Sequence, residues 1–280
     1  MKYIAAVIVL LALIGAGVFL VLNMDVSSDY VAYQQAVEGR HSESLRSEAA
    51  DSHSEGIAED PEVGILLLPY EYAEPVPEGE AVDASYFDRA VFIGDSRMLG
   101  LIRYNDIDPI NYCSVGFSVG SYDTNTFVRV GDESLSVKQA LEKNDDYDSV
   151  YISTGLNELG WSIGRFAEKY REMIKDIKSK AGERPVYIQL IMPVTRGFES
   201  SKVMNLYGLK NSDVSAFNDV IIEIAREYKV YYFDCAEIFV LDNGSLDPKK
   251  SSDGAHLTLD AYKEQLEYYK THVVRREMYA

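Results

Sequence analysis

Two cysteines, Cys113 and Cys235, are all that 280 residues contain, too few for a disulfide scaffold or a four-cysteine zinc site. Bases are also scarce. The chain has 27 Lys and Arg against 45 Asp and Glu, a formal net charge of −18. A phosphate backbone needs a basic footprint, so nucleic acid is excluded as a main partner. There are four histidines, His41, His53, His256 and His272. The chain has no H-E-x-x-H, no Walker loop and no G-x-G-x-x-G, so nothing points to a metal, a nucleotide or any other cofactor. No internal repeat is visible. With 47% hydrophobic and 26% charged residues, the composition excludes disorder along the whole chain.

The acidity is unevenly placed. Segment 25–85 holds 15 acidic residues and only Arg40 and Arg46 as bases, a net of −13. Lys2 adds one positive charge, which leaves −6 for residues 86–280. Ahead of the acidic segment, Tyr3 to Leu22 is an unbroken run of 20 uncharged, mostly apolar residues. A helix of that length spans about 30 Å, the hydrocarbon thickness of a bilayer. A cleaved signal peptide has a shorter apolar region and a small-residue cleavage site. Here Leu22-Asn23-Met24-Asp25 follows with no A-x-A pattern, and cleavage near Val26-Ser27-Ser28 is the alternative. The reading is an uncleaved transmembrane signal-anchor at residues 1–24. Lys2 lies on one flank and Asp25 and Asp29 on the other, which keeps the N-terminus cytoplasmic and the remainder extracellular. Residues 25–84, rich in Ser, Glu and Asp and closing on Glu74-Pro75-Val76-Pro77-Glu78-Gly79, read as an extended, largely disordered stalk.

From Ser85 onward strand and helix signals alternate. Apolar runs at Ala90–Gly94, Asn111–Val115, Ser149–Thr154, Val186–Val194 and Val230–Asp234 are rich in Val, Ile and Tyr and read as buried strands. Helical patterns fall at 97–104, 136–143, 163–179, 212–228 and 259–272, with a small hairpin over Phe127–Val137. Such alternation predicts a parallel sheet covered by helices on both faces, with ligands at the carboxyl ends of the strands. The second and fifth of these strands would lie at opposite edges. Cys113 and Cys235 would then be free, buried thiols, too far apart to bridge.

Two serines compete as nucleophile. Ser96 follows Val91-Phe92-Ile93-Gly94-Asp95, where a strand ends and a helix begins, so free backbone N–H groups lie beside its hydroxyl. An ordinary helix cap gives the same local pattern. Ser118 sits in Gly116-Phe117-Ser118-Val119-Gly120, a G-x-S-x-G match whose motif requires a following helix. Ser121-Tyr122-Asp123-Thr124-Asn125-Thr126 is a poor helix former, so that match reads as coincidence.

A serine nucleophile needs a base. His41 and His53 lie in the stalk, and His272 reads as a helix C-terminal residue favoured by the dipole. His256 remains, in Ser252-Asp253-Gly254-Ala255-His256 after the final strand. Asp253 three residues earlier can hold the imidazole in the tautomer that faces a serine. In Thr154-Gly155-Leu156-Asn157-Glu158, after the third strand, Asn157 can aim its amide at a developing oxyanion.

The joint order of G-D-S, a glycine after strand two, G-x-N and D-x-x-H resembles the SGNH (GDSL-type) hydrolase family over roughly residues 88–272. The resemblance implies a flavodoxin-like three-layer α/β/α sandwich around a parallel sheet of about five strands, here a domain at residues 85–280. It implies Ser96 as nucleophile, His256 as general base and acid, and Asp253 as its orienter. The oxyanion donors would be the Ser96 N–H, a glycine and Asn157. Gly116 fits the position after strand two; Gly120 fits if one residue is inserted. Glu158 and Ser114 stand where many relatives have Asp and Asn. The implied activity is that of a membrane-anchored extracellular serine esterase, with O-acetyl groups of surface or environmental carbohydrate as the expected substrate. Phe117, Tyr122 and Trp161 are candidate sugar-stacking residues, with core the stronger reading for any single one, and Arg97 is a candidate anion holder or, at least as readily, a structural ion-pair member. A sugar or cell-wall O-acetyltransferase, a lipid esterase and an inactive surface binding module are the alternatives.

Overall fold

The computed structural model describes residue 72 and residues 74–201 and 210–274. The expected anchor, most of the expected stalk, and His41 and His53 lie outside the described residues. Among the described residues no helix is long and apolar enough to cross a membrane.

Among the described residues seven strands form: β1 (Ala90–Gly94), β2 (Ile110–Cys113), β3 (Val128–Val130), β4 (Glu133–Leu135), β5 (Ser149–Ser153), β6 (Val186–Gln189) and β7 (Tyr231–Phe233). Five make one sheet in the order β2-β1-β5-β6-β7, parallel throughout, with Val91 opposite Ile110 and Val150, and Ile152 opposite Ile188. β3 and β4 form the small antiparallel hairpin. The α-helices among the described residues are α1 (Ser96–Arg103), α2 (Val137–Lys143), α3 (Ile163–Ala181), the short α4 (Arg196–Glu199), α5 (Asn211–Tyr228) and α6 (Leu259–Thr271).

The pleat sends alternate residues to opposite faces, and the two faces differ in chemistry. Val91, Ile93, Val150, Ile152, Val186 and Ile188 point into a largely aliphatic core beneath α2, α3 and α5. Phe92, Tyr151, Tyr187, Tyr231 and Phe233 point the other way, into an aromatic core against α1 and α6. There Tyr151 stacks on Tyr187 at 4.6 Å and on Tyr269 at 5.7 Å between ring centroids. Helix starts are fixed by side-chain caps: Asp95 accepts from Arg97 N–H, Ser136 and Gln139 form a capping box, and Thr258 accepts from Ala261 N–H.

Two strands stop earlier than their apolar runs. β2 ends at Cys113 and β6 at Gln189, short of Val115 and Val194. Beyond Gln189 the backbone leaves the ladder after Leu190 N–H donates to the Phe233 carbonyl. Its next peptide groups are taken by side chains: Asn218 holds Ile191, Asn211 holds Val194, and Arg97 accepts none but donates to Met192 and Pro193. At the other end, residues read as the close of the stalk lie against the domain. Val76 is buried and donates its N–H to the Tyr232 carbonyl on the outer edge of β7, while Gly79 and Val82 donate to Thr271 and Lys270 at the end of α6. A valine between prolines thus covers an otherwise open sheet edge. Cys113 and Cys235 are both free and buried.

Candidate active site

The carboxyl ends of the parallel strands carry the site. β1 ends at Gly94, where the chain has no room for a side chain: a Cβ there would lie 2.6 Å from both the Met98 Cβ and the Ser153 carbonyl. That close approach lets Asp95 turn and Ser96 open α1 as its first residue. The Ser96 N–H has no protein acceptor among the described residues, as expected at a helix start.

His256 arrives from the loop between β7 and α6. Its Nε2 lies 2.8 Å from the Ser96 hydroxyl and its Nδ1 lies 2.7 Å from Asp253 Oδ2. The other Asp253 oxygen accepts the N–H groups of Ala255 and His256 at 2.9 and 2.8 Å. Burial raises the Asp253 carboxyl, but these N–H groups and the imidazole outweigh it and hold the acid below its ordinary range. Asp253 is therefore a carboxylate at neutral pH and accepts from Nδ1–H, which leaves Nε2 to accept the serine proton. Gly254 makes the three-residue turn, with φ of +100°; a Cβ there would meet the Phe198 Cβ at 2.5 Å.

The loop is anchored from below by Arg97. This side chain is 3% exposed. Its guanidinium donates to the carbonyls of Ala255 (2.8 Å), Pro193 (2.9 Å) and Met192, so it ties the nucleophile's helix to the Asp-x-x-His loop and to the end of β6. Asp95, equally buried, lies within electrostatic reach of it. Arg97 is thus turned away from the cleft, and of its two readings the structural one holds: all three of its nitrogens are occupied by the protein. The sequence signal for this was an arginine among the apolar residues Met98 and Leu101 on a short helix.

Asn157 follows β5 and its amide donates to the Phe117 carbonyl at 2.9 Å, leaving its second proton unclaimed among the described residues. This bond fixes the amide beside the β2 loop, one residue from Gly116. Gly116 is exposed with φ of +74°, and its N–H has no protein acceptor among the described residues. Gly120 instead packs on Trp161, which a Cβ would meet at 2.9 Å. Glu158 completes the junction. It is 0% exposed; Oε1 accepts the Val119 N–H at 2.5 Å, and Oε2 has no hydrogen-bond partner. Burial pushes its carboxyl up to about 8. The sequence marks Glu158 only as a departure from Asp; an acid three residues past Gly155 is its only signal.

Ser118 stands elsewhere. It precedes a single 3-10 turn, Val119–Ser121, rather than an α-helix. His272 closes α6, stacked on Tyr268 at 3.6 Å with Nδ1 on the Tyr268 carbonyl. Phe117 and Tyr122 are buried core, the stronger of the two readings of each, and do not reach the cleft; half-buried Trp161 lies against Gly120 and under the Arg165 guanidinium. The cleft beside Ser96 has a volume of about 400 Å³ and is lined by α1, Val115, the His256 loop and the start of α6. Among the described residues no group of three His, Cys, Asp or Glu side chains is placed to hold a metal.

The family model described as GDSL-like lipase/acylhydrolase matches residues 99–264. It spans Gly116, Asn157, Asp253 and His256 and begins three residues after Ser96. No curated protein matches the chain. Among solved structures, a GDSL-like lipase from Bacteroides thetaiotaomicron is 15% identical over 65% of this chain and 84% of its own, with a TM-score of 0.48. A lipase/acylhydrolase from Enterococcus faecalis is 16% identical over 66% and 98%, at 0.45. Est24, a carbohydrate acetylesterase from Sinorhizobium meliloti, is 15% identical over 65% and 95%, also at 0.45.

Proposed function

Since the chain belongs to the GDSL-like lipase/acylhydrolase family and is an SGNH-type hydrolase, we propose that it is a serine esterase whose nucleophile is Ser96, with His256 as base and acid and Asp253 as orienter. The observation that carries this is the unbroken hydrogen-bond chain from Asp253 through His256 to the Ser96 hydroxyl. The Ser96 oxygen attacks the ester carbonyl and gives its proton to His256 Nε2. The imidazolium returns that proton to the departing alcohol, leaving an acyl-serine. Water then attacks, losing its proton to His256; the acid leaves and Ser96 takes the proton back. The oxyanion of each tetrahedral stage is received by the Ser96 and Gly116 N–H groups and the free amide proton of Asn157.

The setting we propose is a membrane-anchored enzyme with residues 3–22 in the bilayer and the catalytic domain outside the cell, on the strength of the apolar run and its flanking charges. The proposed substrate is O-acetylated carbohydrate of the surface or surroundings. A second reading, an ester with a longer apolar portion, is favoured by the apolar rim of the cleft, where Val115 is 75% and Leu259 51% exposed.

The test is to treat the full-length chain in its membrane with a fluorophosphonate probe and map the label. Label on Ser96 that vanishes in His256→Ala supports the assignment. Label on Ser118, or none, refutes it. Release of acetate from acetylated glycan, set against release of longer acids from acyl esters, then separates the two substrate readings.

A further inference from the structure

We infer that the cleft selects esters carrying a negative charge, and that Arg103 is the residue that reads it. This rests on the assignment of Ser96 as nucleophile. Four residues of α1 line the cleft: Ser96, Leu99, Gly100 and Arg103. Their spacing of three, four and seven places them along one helix face. The trough therefore runs down α1 from the nucleophile to the guanidinium-bearing residue, a helical rise of about 10 Å.

Three features make this a built subsite rather than an incidental arginine. First, Arg103 is exposed and makes no hydrogen bond or ion pair among the described residues, although acids outnumber bases over the domain. Two other arginines pair with carboxylates, Arg89 with Asp146 and Asp148 and Arg171 with Glu227, whereas Arg103 keeps its guanidinium for the cleft it lines. A basic residue in the last turn of a helix gains from the dipole wherever its side chain points. The one acid lining this cleft, Asp253, has both oxygens taken up by His256 and by the Ala255 and His256 N–H groups, so it leaves Arg103 unpaired there.

Second, the walls between nucleophile and cation are apolar. Seven large hydrophobic side chains are exposed among the described residues, and three of them, Tyr104, Val115 and Leu259, line this one cleft. Apolar walls lower the local dielectric, which strengthens a charge pair formed there relative to one in open water. Tyr104 is held in place by Tyr262, at 5.4 Å between ring centroids, so the wall next to the cation is fixed.

Third, the surrounding charge is of the opposite sign. Residues 86–280 carry a net charge of −6, so an unpaired cation lining the catalytic cleft is a local reversal of sign. The ligand chemistry that fits is a carboxylate or phosphate set about 10 Å from the ester carbonyl, joined to it by an apolar or sugar-ring body. An acidic acylated carbohydrate meets this description through its alcohol half; a dicarboxylic half-ester meets it through its acyl half.

The experiment compares charged and neutral esters as a ratio, so that intrinsic reactivity cancels. One arm carries the anion on the alcohol half, 4-acetoxyphenylacetate against its neutral amide. The other carries it on the acyl half, the 4-nitrophenyl half-ester of glutaric acid against 4-nitrophenyl valerate. The expected result is that kcat/KM for the anionic member, relative to its neutral partner, falls about fivefold or more in Arg103→Gln in at least one arm. It should fall further in Arg103→Glu and persist in Arg103→Lys. The ratio in the unmodified chain should also shrink as salt rises. The arm that responds says which half of the ester reaches Arg103. Equal ratios in the unmodified chain and all three variants, with neutral esters turned over, would overturn the inference and leave Ser96 standing. Absence of both turnover and Ser96 labelling would overturn the catalytic assignment and this inference with it.

Discussion

Replacing Glu158 by Gln removes a titration while keeping a shape. The carbonyl of Gln still accepts the Val119 N–H that Glu158 Oε1 accepts now. In the folded chain that oxygen is occupied, so the acid proton sits on Oε2, which is buried, has no acceptor bond, and lies in the electrostatic field of the equally unpartnered Tyr170 hydroxyl. Asp95, the N-cap of α1, adds a like charge that further disfavours ionisation. Folded, the carboxyl titrates at about 8; its ordinary value is 4.5. As pH rises from 4.5 to 8 the unfolded chain has lost this proton and the folded one still holds it. The unfolded state then binds fewer protons, so stability falls with rising pH through that window. At about 1.36 kcal/mol for each pH step of one, the loss reaches about 5 kcal/mol, and it stops once both states are ionised. Gln titrates nowhere. The unfolding free energy of Glu158→Gln minus that of the unmodified chain should therefore grow by about 5 kcal/mol between pH 4.5 and 8, and stay flat outside it. Urea unfolding followed by fluorescence of Trp161, the one tryptophan, reads this directly. A difference that does not change with pH would mean that Glu158 is ionised in the fold, and the argument from its burial would fail.

Four further outcomes follow from the geometry. Asn157→Ala should lower kcat by about 10²–10³ with little change in KM, because the lost donor acts on the oxyanion; near-normal turnover would remove Asn157 from that role. Arg97→Met should destabilise the fold by about 3–5 kcal/mol in urea melts, since three buried carbonyls and Asp95 lose their partner. A cost below about 1 kcal/mol would show that water replaces the guanidinium freely. Gly254→Ala forces a side chain onto a positive φ and into Phe198, so Ser96 labelling by fluorophosphonate should slow while the melting midpoint moves only modestly. Labelling at the original rate would show that the turn has other room. Burial pushes both cysteine thiols up, so iodoacetamide should leave Cys113 and Cys235 unmodified until the chain is unfolded.

Much of the fold was legible because its signals are local. Apolar runs bounded by Gly and Asp gave β1 and β5 to within a residue, and the order Ser96, Asn157, Asp253, His256 followed from their places after successive strands. What escaped sequence reading depends on contacts between distant segments. Nothing near Val194 says that its run leaves the sheet at Gln189, because the reason lies in Asn211, Asn218 and Arg97. The sequence leaves Arg97 open between an anion holder and a structural ion-pair member; one step along a helix from the nucleophile turns a side chain by about 100°, enough to bury it. Phe117 and Tyr122, near the site in sequence, lie beneath it in space, in keeping with the core reading of each. Arg103 shares the face of Ser96 at a spacing of seven, a relation visible in the sequence only once α1 was known to be straight from Ser96 to Arg103.

The path by which the chain enters the domain sets a direction. Helix α6 begins at Leu259, on the rim of the cleft, and ends at Thr271, whose carbonyl receives the N–H of Gly79. Its 13 residues cover roughly 20 Å. The segment entering at Gly79 is thus fastened about 20 Å from the rim of the catalytic cleft, and does not crowd the mouth through which an ester enters.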